Sequence, residues 1–241
     1  MKLNIPYIKI YTWSVLVACQ LCILSVMGQN VPAASSRPAA TPVTLPSAYT
    51  NTQVNYIRTW SPEMPTSDPA AVIGATDIGA VKQSTQYYDG LGRLIQTVSK
   101  GLSPAGKDLV TPVVYDAFGR EQFKYLPYAA QTGNSNDSKF KIAPFSAQQS
   151  FYQNSTLNPG AAGETIYYNQ NSYEPSPLNR INQTFAPGNN WAATGGNRPV
   201  TQYYLSNTTA DGVRVWEFTS GTITPASTRT YVAGQLFKNL T

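Results

Sequence analysis

Thr85-Gln86-Tyr87-Tyr88-Asp89-Gly90-Leu91-Gly92-Arg93-Leu94-Ile95-Gln96-Thr97-Val98 reads as strand, reverse turn, strand. β-branched and aromatic residues fill both limbs, and Asp-Gly-Leu-Gly between them is turn chemistry. The pattern then returns. Val110-Thr111-Pro112-Val113-Val114-Tyr115 leads into Asp116-Ala117-Phe118-Gly119-Arg120, and Gln122-Phe123-Lys124-Tyr125 alternates polar and aromatic as a half-buried strand does. Two copies of Tyr-Asp-x-x-Gly-Arg thus stand 27 residues apart, Tyr88 to Arg93 and Tyr115 to Arg120.

Each position in the unit has a physical task. Asp89 and Asp116 can accept hydrogen bonds from backbone amides two or three residues ahead and so close the turn. Gly92 and Gly119 can adopt positive φ at low cost. Tyr88 and Arg93, like Tyr115 and Arg120, then flank one turn on the two limbs of a single hairpin, which gives each guanidinium a ring face to pack over. A hairpin unit that recurs predicts an array that buries one continuous face by stacking.

The rest of the chain supplies further strands and few helices. Val54 to Trp60 opens the β pattern, which Pro62, Pro65 and Pro69 interrupt. Ser146 to Tyr152 holds neither Gly nor Pro and predicts one short helix. Thr165-Ile166-Tyr167-Tyr168 and Thr201-Gln202-Tyr203-Tyr204 echo Thr85 to Tyr88 and are expected to be strands. Tyr173-Glu174-Pro175-Ser176-Pro177-Leu178-Asn179-Arg180 reads as a degenerate unit, with Glu in the Asp place and no glycine. Val213 to Thr219 alternates cleanly, Ser220-Gly221 ends it, and Thr222 to Thr224 and Thr230 to Val232 are the last expected strands.

Lys2 and Lys9 precede an uncharged, largely apolar run from Ile10 to Gly28, with small Gly28 at its exit. That is the form of an export signal cleaved near Gly28. A retained membrane anchor is the competing reading, and Leu16-Val17-Ala18-Cys19 also resembles a lipoprotein cleavage box. The expected division is an export signal over 1–28, a flexible Pro/Ala/Ser/Thr tether over 29–51 and a β-rich domain over 52–241, with the hairpin units in 82–128. The mature chain is expected to be secreted or held at the cell surface and to meet a membrane only through its export signal.

Composition narrows the chemistry. Charged residues are 12% of the chain, and Ser, Thr, Asn and Gln make 77 of 241 residues. Histidine is absent, and the two cysteines, Cys19 and Cys22, both lie in the leader. The mature chain therefore offers no Ser-His-Asp triad, no Cys-His pair, no Cys/His zinc site and no intramolecular disulfide. The net charge of +5 is spread without a basic run, so nucleic acid is not an expected partner. Gly90-Leu91-Gly92 and Gly195-Gly196-Asn197 lack the Lys-Ser/Thr and helix of a phosphate loop. No cofactor, metal or catalytic residue is expected.

The paired Tyr-Asp-x-x-Gly-Arg units resemble the YD repeats of bacterial Rhs-type proteins. Tyr173 to Arg180, Ala186-Pro187-Gly188-Asn189-Asn190-Trp191 and Val213-Arg214-Val215-Trp216 resemble segments of an uncharacterised domain that precedes the repeats in secreted Rhs-like proteins. The likeness runs from about Asn55 to the end of the sequence. It implies a mainly β fold of repeated antiparallel hairpins forming an open curved sheet, part of a shell that in full-length relatives surrounds a C-terminal effector. On that resemblance Tyr88, Asp89, Gly92, Arg93, Tyr115, Asp116, Gly119 and Arg120 are structural repeat residues. The expected function is a non-catalytic exported scaffold, with a downstream repeat or effector segment of a longer protein as partner, or contact with neighbouring cells.

Two other readings stand beside it. Asp89 and Asp116 could form a pair of catalytic carboxylates, as in glycosidases. Against this, each sits where a turn needs an Asp, while Glu164, Glu174 and Glu217 are isolated acids. The 16 tyrosines with Trp60, Trp191 and Trp216 could stack on sugar rings, which makes a surface glycan- or matrix-binding β module the alternative function. The same aromatics also suit cross-strand packing in a sheet poor in Leu and Ile.

Overall fold

The computed structural model describes residues 45, 47–51 and 53–241, so the export signal of 1–28 and nearly all of the 29–51 tether lie outside the described residues. The chain is mainly β, with several antiparallel sheets and two α-helices among the described residues. It divides into two compact units, one running to Thr201 and the other comprising Gln202–Thr241 in the described part.

In the larger unit the strands follow one another across a strip. β1 (Asn55–Pro62), β2 (Val81–Tyr88), β3 (Leu94–Ser99) and β4 (Leu109–Pro112) pair in chain order, and β6 (Tyr128–Ala129) adds beside the start of β4. β5 (Phe123–Tyr125), β7 (Tyr168–Tyr173), β8 (Ile181–Phe185) and β9 (Val200–Thr201) form a second sheet. A bridge from Val113 to Lys124 links β4 to β5, so the two sheets continue as one antiparallel run from β1 to β9. Tight turns join β2 to β3 and β7 to β8, whereas longer segments carrying α-helices connect β1 to β2 and β5 to β7.

The core lies on one face of the strip. Tyr87, Ile95, Val98, Val110, Tyr128, Ala130 and Phe140 form its buried centre, against which Tyr49, Val54, Ala147, Phe151 and Tyr152 pack. Aromatic rings do what Leu and Ile do elsewhere. Tyr49, Phe140 and Tyr87 touch in series at 5.2 Å, and Phe123, Tyr168, Tyr125 and Phe145 form a second series at 4.9–5.2 Å. Burying each ring removes some 150–250 Å² from water, and tilted pairs add about 0.5–1.5 kcal/mol beyond that area.

The predicted helix over 146–152 is present as α2 (Pro144–Gln153), with Pro at its first turn, where no N–H is needed. It buries Phe145 against Tyr125 and uses Gln148 to donate to the carbonyls of Leu126 and Tyr167. A second helix, α1 (Pro69–Gly74), was not legible in the sequence. The prolines expected only to interrupt the β pattern place Pro69 at its start, and Asp68 caps it by accepting from Ala70 and Ala71 N–H. Thr165 to Tyr167, expected to be strand, instead form a loop that buries Ile166 and Tyr167.

Side chains replace missing strand partners at the closed end of the core. Gln96 is fully buried and exchanges two hydrogen bonds with the backbone of Lys141, at 3.0 and 2.8 Å. Beside it, Lys141 Nζ meets Asp108 Oδ2 at 2.6 Å, with Asp137 Oδ1 at 3.3 Å and the Asn134 carbonyl also accepting. Asp108 in turn accepts from Gly101 and Ser138 N–H at 3.0 and 2.9 Å, which pins the β3–β4 loop and the segment after β6 to one buried carboxylate.

The smaller unit contains a β10 (Tyr203–Ser206) and β13 (Phe237–Leu240) pair and a β11 (Arg214–Thr219) and β12 (Thr222–Thr230) hairpin. β12 is one strand through Pro225, where the sequence suggested two shorter ones, and β13 was not anticipated. Ser220 and Gly221 both take positive φ, 52° and 81°, as a tight two-residue hairpin turn demands. Asn207, the one described residue of this unit that is buried, bonds Leu236 and Val232 through its amide.

Candidate functional site

Three reverse turns lie where β2 meets β3, β4 meets β5 and β7 meets β8. The first two are superimposable in their bonds. Asp89 N–H donates to Arg93 O at 2.9 Å and Gly92 N–H to Asp89 O at 3.0 Å; Asp116 and Gly119 make the matching pair at 2.9 Å each. Asp89 Oδ1 accepts from Leu91 and Arg93 N–H, both at 2.9 Å, while Oδ2 takes Arg93 Nε at 2.8 Å. Asp116 repeats this with Phe118 N–H, Arg120 N–H and Arg120 Nε at the same three distances. Gly92 and Gly119 sit at φ 75° and 76°, a backbone state that an L side chain strains.

The third turn reaches the same end with different residues. Glu174 N–H donates to Arg180 O at 2.9 Å, and its carboxylate takes Arg180 Nε at 2.8 Å and Nη2 at 2.7 Å. The extra methylene of Glu spans a loop two residues longer, and Ser176 Oγ fills the place of one backbone donor at 2.6 Å. Asn179 takes the positive φ, 53°, that glycine takes in the other two. Asn is among the residues that enter the left-handed region most readily, and that was the available signal for the missing glycine.

The sequence suggested that each guanidinium packs on the tyrosine of its own unit; instead it reaches the tyrosine of the next, although Arg120 also lies over Phe118 of its own turn at 5.2 Å. Arg93 Cζ lies 4.9 Å from the ring centroid of Tyr115, the tyrosine of the next turn, and Arg120 Cζ lies 4.3 Å from that of Tyr173 in the turn after. The hydroxyls follow the same rule. Tyr115 OH donates to Leu94 O at 2.9 Å and Tyr173 OH to Glu121 O at 3.1 Å, each acceptor being the residue just after the stacked Arg. The reason is strand geometry: Tyr ends one strand and Arg opens the next, so Arg sits beside the strand that follows it and reaches that strand's Tyr. Asn179 Oδ1 also accepts from Arg120 Nη1 at 3.0 Å, a second tie between turns two and three.

Seven of the eight residues singled out in the sequence build these turns and their ties, while Tyr88 leads into the first turn and its hydroxyl donates to Gln86 on its own strand at 3.1 Å. Burial works upward on the carboxyls of Asp89 and Asp116, but the N–H donors and the guanidinium outweigh it and hold both below their usual value. The Arg180 guanidinium does the same for Glu174. Each carboxylate is turned into its own bend with donors on both oxygens, an arrangement that fixes a turn and leaves no free base. Glu174, read as an isolated acid, is buried, and Glu217 pairs with Arg229. Among the described residues no group of three Cys, Asp or Glu side chains gathers as a metal would need.

Fold and ladder together define a β strip whose consecutive turns are bolted edge to edge by carboxylate, guanidinium and phenol. Residues 58–205, more than half of the chain and all three turns, match the family described as a domain of unknown function (DUF6443), and the chain belongs to that family. No curated protein matches the chain, and no solved structure does.

Proposed function

We propose that this chain is a non-catalytic exported scaffold, the N-terminal part of a YD-repeat, Rhs-like shell or the adapter that precedes one, which presents a downstream effector or cell-contact module. The observation that carries the reading is the turn-to-turn ladder. Arg93 to Tyr115 and Arg120 to Tyr173 use one geometry twice, so the contact is extensible: any further Tyr-Asp hairpin could add by the same bonds. The saturated carboxylates of Asp89 and Asp116 suit wall-building rather than acid–base work. Mass spectrometry of the natural product, with sequencing of its reading frame and neighbour, tests this. The expected result is a mature N-terminus near Gln29 and further Tyr-Asp units leading to a variable module. An uncleaved cytoplasmic chain, or a neighbourhood with neither feature, overturns it.

One observation favours the glycan-binding alternative. Trp191 is half exposed with Arg198 over its ring at 5.7 Å, on a loop in which a Cβ at Gly195 or Gly196 would fall 1.9 or 2.1 Å from a backbone oxygen. A rigidly held, exposed indole is a stacking platform. Reproducible binding on a glycan array, lost in Trp191→Ala with the fold intact, would establish this role in place of the scaffold reading.

A further inference from the structure

Among the described residues β1 is the outermost strand at one end of the strip, and its eight residues pair with β2 in unbroken register from Asn55↔Tyr88 to Pro62↔Val81. One step beyond, Glu63 N–H donates to Ala80 O at 3.0 Å. Counting back by twos, Ser61, Thr59, Ile57 and Asn55 exchange bonds with β2. The backbone N–H and C=O groups of Tyr56, Arg58 and Trp60 therefore point away from the sheet, as a row open to another strand. Pro62 falls in the same outward set, where its missing N–H costs β2 nothing and closes the open row.

The side chains of these residues share the core face. The Tyr56 ring meets Tyr87 at 5.9 Å, and Arg58 Nε donates to Thr85 Oγ1 at 3.0 Å. Arg58 also lies over Tyr56 at 5.2 Å. Arg93, Arg120 and Arg180 each hold a carboxylate, whereas half-buried Arg58 meets the hydroxyls of Thr85 and Tyr87 and the Tyr56 ring, with no carboxylate among the described residues. That contrast gives the edge its selectivity. An uncharged strand laid beside β1 would cover the guanidinium without pairing it, which is unfavourable. A strand with a carboxylate at that place turns the same burial into a charge-assisted hydrogen bond.

We propose that β1 is a docking edge for an extended acidic strand of a partner. The strand adds along Tyr56–Trp60, sets Asp or Glu beside Arg58, and lays apolar side chains two residues to either side against Tyr56 and Trp60. The backbone supplies pairing, and Arg58 selects.

Fluorescence anisotropy of a labelled Thr-Val-Thr-Glu-Thr-Val-Thr peptide, titrated with the whole chain, tests this. Saturable binding is expected, weakened about tenfold or more when the central Glu becomes Lys, and by a similar factor in Arg58→Gln. The same peptide N-methylated on alternate residues keeps its side chains but loses its pairing edge, and should not bind. The Lys and N-methyl comparisons use the unaltered protein, so they stand even if Arg58→Gln folds poorly. No saturable binding, equal binding of the Glu and Lys peptides, or a dimer of the chain that the Glu peptide does not dissociate would each overturn the proposal.

Discussion

Asp116→Asn and Asp89→Asn make the same substitution in two turns with the same bonds, and burial alone sets them apart. At Asp116 the carboxylate is 1% exposed and its Arg120 partner 16%; at Asp89 the figures are 22% and 40%. In either variant the amide oxygen can keep the two backbone N–H bonds, while the new Nδ2 faces Arg Nε, donor against donor. In turn two this removes a charge-assisted bond worth about 1.5–3 kcal/mol. It also leaves a guanidinium that water reaches only in part, and breaking a fully buried pair costs about 3–5 kcal/mol in all. With Arg120 partly wetted, about 3 kcal/mol is expected for Asp116→Asn. In turn one, water takes over the guanidinium, and an exposed pair is worth about 1 kcal/mol or less. In a chain of this size that is a melting point lower by about 6–12 °C against about 2–4 °C. Urea and thermal unfolding of the protein, followed by tyrosine fluorescence, give both numbers. Equal losses, or a larger loss at Asp89, would refute the claim that enclosure determines the strength of each turn.

Three further outcomes follow from the same contacts. Asp89, Asp116 and Glu174 have folded pKa values below their ordinary 3.8, 3.8 and 4.5, so their stabilisation is complete above about pH 4.5 and is lost as pH falls through the lowered folded values; urea midpoints that stay flat from pH 7 to pH 2 would contradict this. Tyr128 has a buried hydroxyl without a partner among the described residues, whereas Tyr87 OH donates to Ser138 O at 2.7 Å. Tyr128→Phe should then be neutral or stabilising, and Tyr87→Phe should cost about 1 kcal/mol by denaturant titration. Asn179→Ala loses both a residue tolerant of φ 53° and the acceptor for Arg120, and should lower stability by about 1–3 kcal/mol, with Asn179→Gly recovering only the backbone part.

The interlocking turns explain how a chain with 12% charged residues and little Leu or Ile holds a sheet together. Pairing within each turn uses up a carboxylate and leaves one face of the guanidinium free. That face covers the next tyrosine, whose hydroxyl then reaches back to the preceding strand. Every turn is satisfied internally and still couples to its neighbour, so local and long-range bonds share the same side chains.

Turn chemistry and strand alternation were written in the order of residues. Asp89 and Asp116 could be assigned to reverse bends, and α2 to the stretch around Ser146–Tyr152, because these features depend on backbone preferences over a few positions. The sequence also showed that Glu174 stands in an Asp place. It did not show that Asn179 replaces glycine there, that Arg93 and Arg120 serve the following turn rather than their own, or that Gln96 stands in for a strand opposite Lys141. Those facts depend on which strands lie side by side, and spacing along the chain does not carry that information. The residue types fixed the bends by local sterics and hydrogen bonding, while the partners of each guanidinium, including the hydroxyls and ring that Arg58 meets in place of a carboxylate, were decided only when the strip assembled and set distant side chains within reach.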